Sequence, residues 1–323
     1  MQAAVRPLAD AYALAGAGRL DEAVPIIEAH AASGNAEALF TLGDLYWRGI
    51  GVERDHPRAL TLFKRSSDGG FPMAVRAYTN LLANGATGTR DWQAALARLS
   101  DEARYDQLRA WMFRLISSMN LTGSGDPISV GAAERISERP QAMIFRQGFT
   151  AEECDFLRAV AEPTYEKSKV ISTDGDIRTL LRTSDGSTLH WLVEDPATHA
   201  LNRRLAAFTG TDVNQGEPLH ILRYRPGQEY RPHVDWLLDE NPRVLTALVY
   251  LNDDYAGGET AFVKTGLKVR GRKGDVLVFR SQGPDGGLDP MSEHAGLPVT
   301  SGTKYLASRW IRAGKHIEKP RSA

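Results

Sequence analysis

At 323 residues the chain exceeds the usual size of one domain, so two domains are the starting expectation. Lys and Arg total 39 against 40 acidic residues, with 42% hydrophobic residues. That balance excludes disorder as the default and gives no reason to expect a nucleic acid or a membrane surface as partner. The single cysteine, Cys154, rules out an internal disulfide framework and a multi-thiolate metal site, which leaves His and carboxylates to ligate any metal.

The first twenty residues contain Arg6, Asp10 and Arg19 and no long apolar run. Neither a signal peptide nor a spanning helix is expected there, and a cytoplasmic location fits.

Residues 1–119 read as helical and they repeat. Ala23, Ala59 and Ala95 stand 36 apart, and Ala38, Ala74 and Ala110 keep the same step. Gly34 with Gly70, Gly49 with Gly85 and Asp55 with Asp91 fall in the same register. A period in the thirties with small residues at fixed positions predicts stacked helix pairs, because small side chains let neighbouring helices approach. The stretch AEALFTLGDLYWRGIGVERDHPRALTLFKRSSDGG, from Ala36 to Gly70, resembles the tetratricopeptide class, in a variety with a Gly-containing link.

Gly123, Ser124, Gly125, Pro127 and Gly131 then interrupt any helix, so residues 120–140 read as a linker. Across 141–323 the grammar changes to short alternating or β-branched runs between turn residues: HILRYRPG, RVLTALVYLND, LKVRG, DVLVFR and KYLASRWIR. These predict a mainly antiparallel sandwich or jelly roll. One helix is expected ahead of the sheet, starting from Thr150 as N-cap with Glu153 three residues on. The whole is an α + β two-domain chain, a helical array followed by a jelly roll.

Chemistry enters at His233-Val-Asp235. On a strand, residues two apart share a side, so one imidazole and one carboxylate converge. Taken alone, the triplet is more often a surface pair or a hydrogen-bonded core histidine. His294, in SEHAG, offers a third ligand from a neighbouring strand. Two imidazoles and one carboxylate leave coordination positions open, which suits Fe(II) holding a 2-oxoacid and O2; zinc is the rival. Zinc does not explain Lys304, in GTKYLASRWIR. An inward ammonium needs an anion to offset its desolvation, whereas an exposed strand lysine is the plainer reading.

Together HILRYRPGQEYRPHVDW, RVLTALVYLNDDYAGGETAF, KGDVLVF and SEHAGLPVTSGTKYLASRWIR closely resemble the prolyl 4-hydroxylase branch of the 2-oxoglutarate and iron dioxygenases, over Met143 to Arg312. The resemblance implies a double-stranded β-helix, with His233, Asp235 and His294 on Fe(II) and Lys304 on the distal carboxylate of oxoglutarate. It also implies that Tyr224 and Tyr250 share that carboxylate, with O2 as oxidant and ascorbate as reductant. Glu217, Tyr230 and Arg243 match positions bordering a substrate groove, and Arg182 to Ser184 match a segment leading into a loop over the site. Trp310 and Arg312 fall on the face of Lys304 by parity.

The implied reaction is hydroxylation of a prolyl residue in a peptide or protein, with oxoglutarate converted to succinate and CO2. The helical repeats are a candidate dock for that peptide, for a second copy or for another enzyme. A hydroxylase of free proline or another small molecule, and a scaffold with a silent oxoglutarate-sensing barrel, are the rival readings. A nucleic-acid demethylase fits the balanced charge less well. GAGR at Gly16 and GGET at Gly257 read as turns, not phosphate sites.

Overall fold

The structure is a computed structural model that describes residues 6–86, 88–168 and 181–316. It divides into two compact units: residues up to Ala110 together with Trp191–Pro196, and Trp111–His190 together with Ala197–His316.

The first unit contains α1 (Leu8–Gly16), α2 (Leu20–Ala32), α3 (Ala36–Arg48), α4 (His56–Asp68), α5 (Pro72–Asn84), α6 (Trp92–Glu102) and the start of α7 (Gln107–Ser118). The 36-residue step is physical: α2, α4 and α6 start at Leu20, His56 and Trp92, and α3 and α5 at Ala36 and Pro72. Ala23, Ala59, Ala95, Ala38 and Ala74 are all 0% exposed, at the positions where each helix lies against the next. The Asp55 side chain accepts from Arg58 N at 2.9 Å and the Asp91 side chain from Ala94 N at 2.9 Å, so the same residue caps α4 and α6. Gly49 and Gly85 end α3 and α5 with φ of 71° and 67°, a left-handed conformation that side chains resist.

Residues 191–196 complete this unit's core. Leu192 packs among Leu39, Leu42, Trp47 and Leu81, and Trp191 meets Trp47 edge-on at 6.5 Å. Asn80 Nδ2 donates to the Leu192 carbonyl at 2.9 Å and Asn84 Nδ2 to the Trp191 carbonyl at 2.8 Å. The Asn80 amide is oriented by Arg109, which donates to its Oδ1 at 3.1 Å while pairing with buried Glu102 at 2.9 Å.

The second unit is built on β1 (Ala133–Glu138), β2 (Gln141–Phe145), β3 (Glu166–Lys167), β4 (Asp185–Leu189), β5 (Leu219–Tyr224), β6 (Tyr230–His233), β7 (Arg243–Tyr250), β8 (Ala256–Gly257), β9 (Thr260–Phe262), β10 (Lys268–Val269), β11 (Val276–Arg280), β12 (His294–Gly296), β13 (Val299–Ser301) and β14 (Lys304–Arg312). An eight-stranded sheet runs β1-β2-β11-β7-β14-β5-β4-β3 and a four-stranded sheet β10-β9-β12-β6, with antiparallel pairing throughout. One apolar core lies between them, with Leu222, Leu248, Leu277, Phe279 and Leu306 from the large sheet and Phe262 and Val269 from the small one. This is the layout of a jelly roll.

Two helices accompany the sheets: α8 (Ala151–Ala161) and α9 (Pro196–Thr209). The expected capping box starts α8, with Glu153 N donating to Thr150 Oγ1 at 3.1 Å and Thr150 N to Glu153 Oε2 at 2.8 Å.

The boundaries differ from the expected 1–119, 120–140 and 141–323. The units part at Ala110/Trp111, inside α7, because the Trp111 indole donates to Glu152 at 2.9 Å and sits edge-on to Phe156 of α8 at 5.4 Å. Part of the expected linker is β1, whose AERISE run pairs with β2; the glycines and proline before it end a helix without preventing a strand.

Candidate active site

His233 is the last residue of β6 and His294 the first of β12, and the antiparallel register sets them directly opposite each other, ring centroids 4.2 Å apart. Asp235 lies two residues past His233, just beyond the strand. Its carboxylate stands 3.7 Å from His233 Nε2 and 3.6 Å from His294 Nε2, and one ligand atom from each residue falls within 4.8 Å of the others.

The far side of each ring fixes its orientation. The Nδ1–H of His233 donates to the Arg231 carbonyl at 2.8 Å, and that of His294 to the Ser292 carbonyl at 2.9 Å, which leaves both Nε2 lone pairs facing inward. Ser292 ends a short 3-10 turn, Pro290–Ser292, capped by Asp289, so a local turn sets the His294 ring. Burial and the neighbouring His294 push His233 down to about 3, so it is neutral near pH 7. For Asp235 burial acts to raise the pKa. The two histidines and a 2.6 Å hydrogen bond donated by Thr246 outweigh it and hold the carboxyl below its usual range.

Lys304 opens β14, and only 2% of it is exposed. Its ammonium donates to the Gly258 carbonyl at 2.7 Å and lies 5.6 Å from the Tyr224 ring and 5.8 Å from the Tyr250 ring. Burial lowers its pKa to about 8, partly opposed by Glu259. Lys304, Leu306, Ser308 and Trp310 alternate along β14 into one cavity, whose wall also includes Tyr224, Tyr230, His233, Asp235, His294, Thr260 and Arg182. Tyr230 stacks on His233 with centroids 3.5 Å apart.

The expected substrate residues divide. Arg182, Tyr230 and Trp310 line the cavity, while Glu217, Arg243 and Arg312 form an ion-pair cluster outside that lining. Glu217 takes Arg243 at 2.6 and 2.7 Å and Arg312 at 2.6 Å. Arg312 is claimed by Glu217 and Asp239 next to a register shift against β7 at Ile311/Arg312, which keeps its guanidinium out of the cavity lining. Arg243 still supports the site, with its guanidinium 4.2 Å over the Trp310 ring. Tyr250 also departs from expectation: its hydroxyl meets Thr260 Oγ1 at 3.2 Å, and the cavity wall at that point is Thr260 rather than the tyrosine. Sequence reading missed Thr246 as partner of Asp235, and Thr260.

A divalent ion fits the donor set. The inward lone pairs of the two imidazoles and the carboxylate converge, and among the described residues Thr246 is the hydrogen-bond donor to Asp235. A buried ammonium with no carboxylate hydrogen-bonded to it among the described residues fits an anionic cosubstrate in the same way.

An open metal face with an anion seat behind it is what a 2-oxoacid-dependent iron oxygenase requires, and proteins of similar sequence fall in that class. The 2OG-Fe(II) oxygenase superfamily model matches residues 219–312. Prolyl 4-hydroxylase 5 of Arabidopsis thaliana is 36% identical over 219 residues, covering 59% of this chain and 75% of that protein. Prolyl 4-hydroxylase 1 of the same plant is 35% identical over 201 residues, covering 55% and 71%. Among solved structures, the viral collagen prolyl hydroxylase of Paramecium bursaria Chlorella virus-1 in its 2OG complex shares 26% identity at a TM-score of 0.44, over 54% of this chain and 96% of that one. The chain is a 2-oxoglutarate- and Fe(II)-dependent dioxygenase. It belongs to the prolyl 4-hydroxylase family.

Proposed function

We propose that this enzyme hydroxylates C4 of prolyl residues in a peptide or protein, with His233, Asp235 and His294 holding the iron and Lys304 receiving the distal carboxylate of oxoglutarate. The observation that carries the reading is the buried Lys304 ammonium in the same cavity wall as the three converging ligands. The chemistry supplied there by Fe(II), oxoglutarate and O2 is oxidative decarboxylation to succinate and CO2, with the second oxygen atom inserted into a C–H bond.

The chain's own groups do the rest. Thr246 fixes the carboxylate of Asp235, and the carbonyls of Arg231 and Ser292 fix the imidazoles, so the ligand geometry is set before anything binds. Lys304 holds a buried positive charge in the cavity wall, which it shares with the apolar side chains of Leu222, Leu248 and Leu306. Arg182 Nε and Trp310 Nε1 are buried donors with no hydrogen-bond partner among the described residues, and both residues line the cavity. Such donors suit the carbonyl oxygens of a peptide backbone.

The helical unit fits a tetratricopeptide-like array, supported by its 36-residue step and recurrent caps. Docking of a peptide or partner by this unit belongs to the same proposal, as do a cytoplasmic location and ascorbate as reductant. Asn80 and Asn84 are already engaged by residues 191–196, so an incoming chain would have to use other positions or displace that segment. Incubation with proline-rich peptides, Fe(II), oxoglutarate and ascorbate tests the reaction by mass spectrometry. The expected result is one added oxygen on a prolyl residue; oxidation confined to a free amino acid would reject it.

A further inference from the structure

His220 lies on β5 and faces two of the cavity residues at once. Its Nε2 is 3.3 Å from Arg182 Nη2, its Nδ1 is 2.9 Å from Thr188 Oγ1, and its ring centroid is 6.0 Å from that of Trp310 with the planes 31° apart. A guanidinium only donates, so Nε2 must be the acceptor and the single ring proton must sit on Nδ1, donated to Thr188. Gly186 of the neighbouring strand makes the room: a Cβ there would lie 2.7 Å from both His220 Cε1 and Nε2.

Besides Thr188, His220 meets the two side chains whose buried donors, Arg182 Nε and Trp310 Nε1, lack a hydrogen-bond partner among the described residues. We propose that His220 is a positioning residue, a neutral imidazole that orients Arg182 and braces Trp310 so that their free N–H groups meet the backbone carbonyls of the substrate. The proposal rests on the peptide reading above. Burial, with the nearby charges of Arg182 and Arg243 acting in the same direction, pushes His220 down to about 3. Protonation would place a second cation against Arg182 and remove its acceptor, so the neutral form suits the role. The hydrogen bonds of His220 run to Arg182 and Thr188 and not to His233, Asp235, His294 or Lys304, which predicts an effect on substrate and not on oxoglutarate.

Two variants and one spectrum test this. His220→Leu removes the acceptor and is expected to raise the peptide KM about tenfold, the scale of one lost hydrogen bond to a charged group, with the oxoglutarate KM unchanged. His220→Gln keeps an acceptor and should recover most of that loss. Equal peptide KM values in wild type and both variants, or a matching rise in oxoglutarate KM, would overturn the proposal. Nitrogen-15 NMR of the imidazoles reads the tautomer without any substrate: Nδ1 protonated and Nε2 bare near neutral pH, with the Nε2 signal shifting in Arg182→Lys. A proton on Nε2 would contradict the proposal even if no peptide proved to be a substrate. Failure of wild type to hydroxylate any peptide, with the expected tautomer present, would instead fault the prolyl reading alone.

Discussion

The Lys304 ammonium sets two opposite pH trends. Its pKa in the fold, about 8, lies below the ordinary 10.5, so the folded chain binds this proton less tightly than the unfolded one. The cost of burying the charge is therefore fully present below pH 8 and fades as pH rises toward the unfolded value. Oxoglutarate affinity should move the other way, constant below about pH 8 and weakening above it as the ammonium is lost. Calorimetric titration of oxoglutarate across this window checks the trend, and Lys304→Met should flatten it. Thr246→Val keeps the volume but removes the 2.6 Å hydrogen bond to Asp235. Metal affinity should fall about 10- to 100-fold, with recovery in Thr246→Ser; unchanged affinity would mean that Asp235 needs no help. The residue types of the site were readable in the sequence because the spacing of His233, Asp235, His294 and Lys304 resembles one family. Thr246 was not, because hydrogen-bond partnership across two elements leaves no local pattern.

Short elements placed the site, and they were the hardest to read. The strands β5, β7, β11 and β14 are five to nine residues long with clear alternation or β-branching, and each coincides with a run predicted from sequence. β12, which delivers His294, has three residues and too little pattern to announce a strand or its register against β6. The helix α9, PATHALNRRLAAFT, went unread because its apolar positions are mostly alanines. In the helical unit, Gly85→Ala should cost about 1–2 kcal/mol from backbone strain and crowding. Its φ is 67° and a Cβ would lie 2.9 Å from Arg90 Cβ. Gly34→Ala, with nothing within 4 Å, should cost less; urea denaturation ranks the two. Paired Asn80→Ala and Asn84→Ala substitutions leave the carbonyls of Leu192 and Trp191 without these donors. Each loss costs about 1–3 kcal/mol, read as a lower thermal midpoint and faster proteolysis at 191–196; unaltered cleavage would show that the asparagines do not hold the segment.

At the scale of the molecule, the two grammars of the sequence correspond to two units, and the 36-residue period survives as helix starts, caps and buried alanines. The boundary was misplaced because composition marks where helix gives way to turns, whereas packing assigns Trp111 to the unit containing α8. The inclusion of 191–196 in the helical unit was equally invisible, since pairing between residues about a hundred positions apart has no local signature. The central claim is that His233, Asp235 and His294 hold one metal ion and that Lys304 behind them receives a dicarboxylate. Anaerobic calorimetry of oxoglutarate binding to the Fe(II)-loaded enzyme, with wild type, His294→Ala and Lys304→Met in parallel, tests it most directly. The account predicts one site in wild type, loss of iron in His294→Ala, and retained iron with oxoglutarate binding weakened about a hundredfold or more in Lys304→Met, the scale of an unpaired buried charge. Iron retained without His294, or oxoglutarate bound equally well without Lys304, would contradict it.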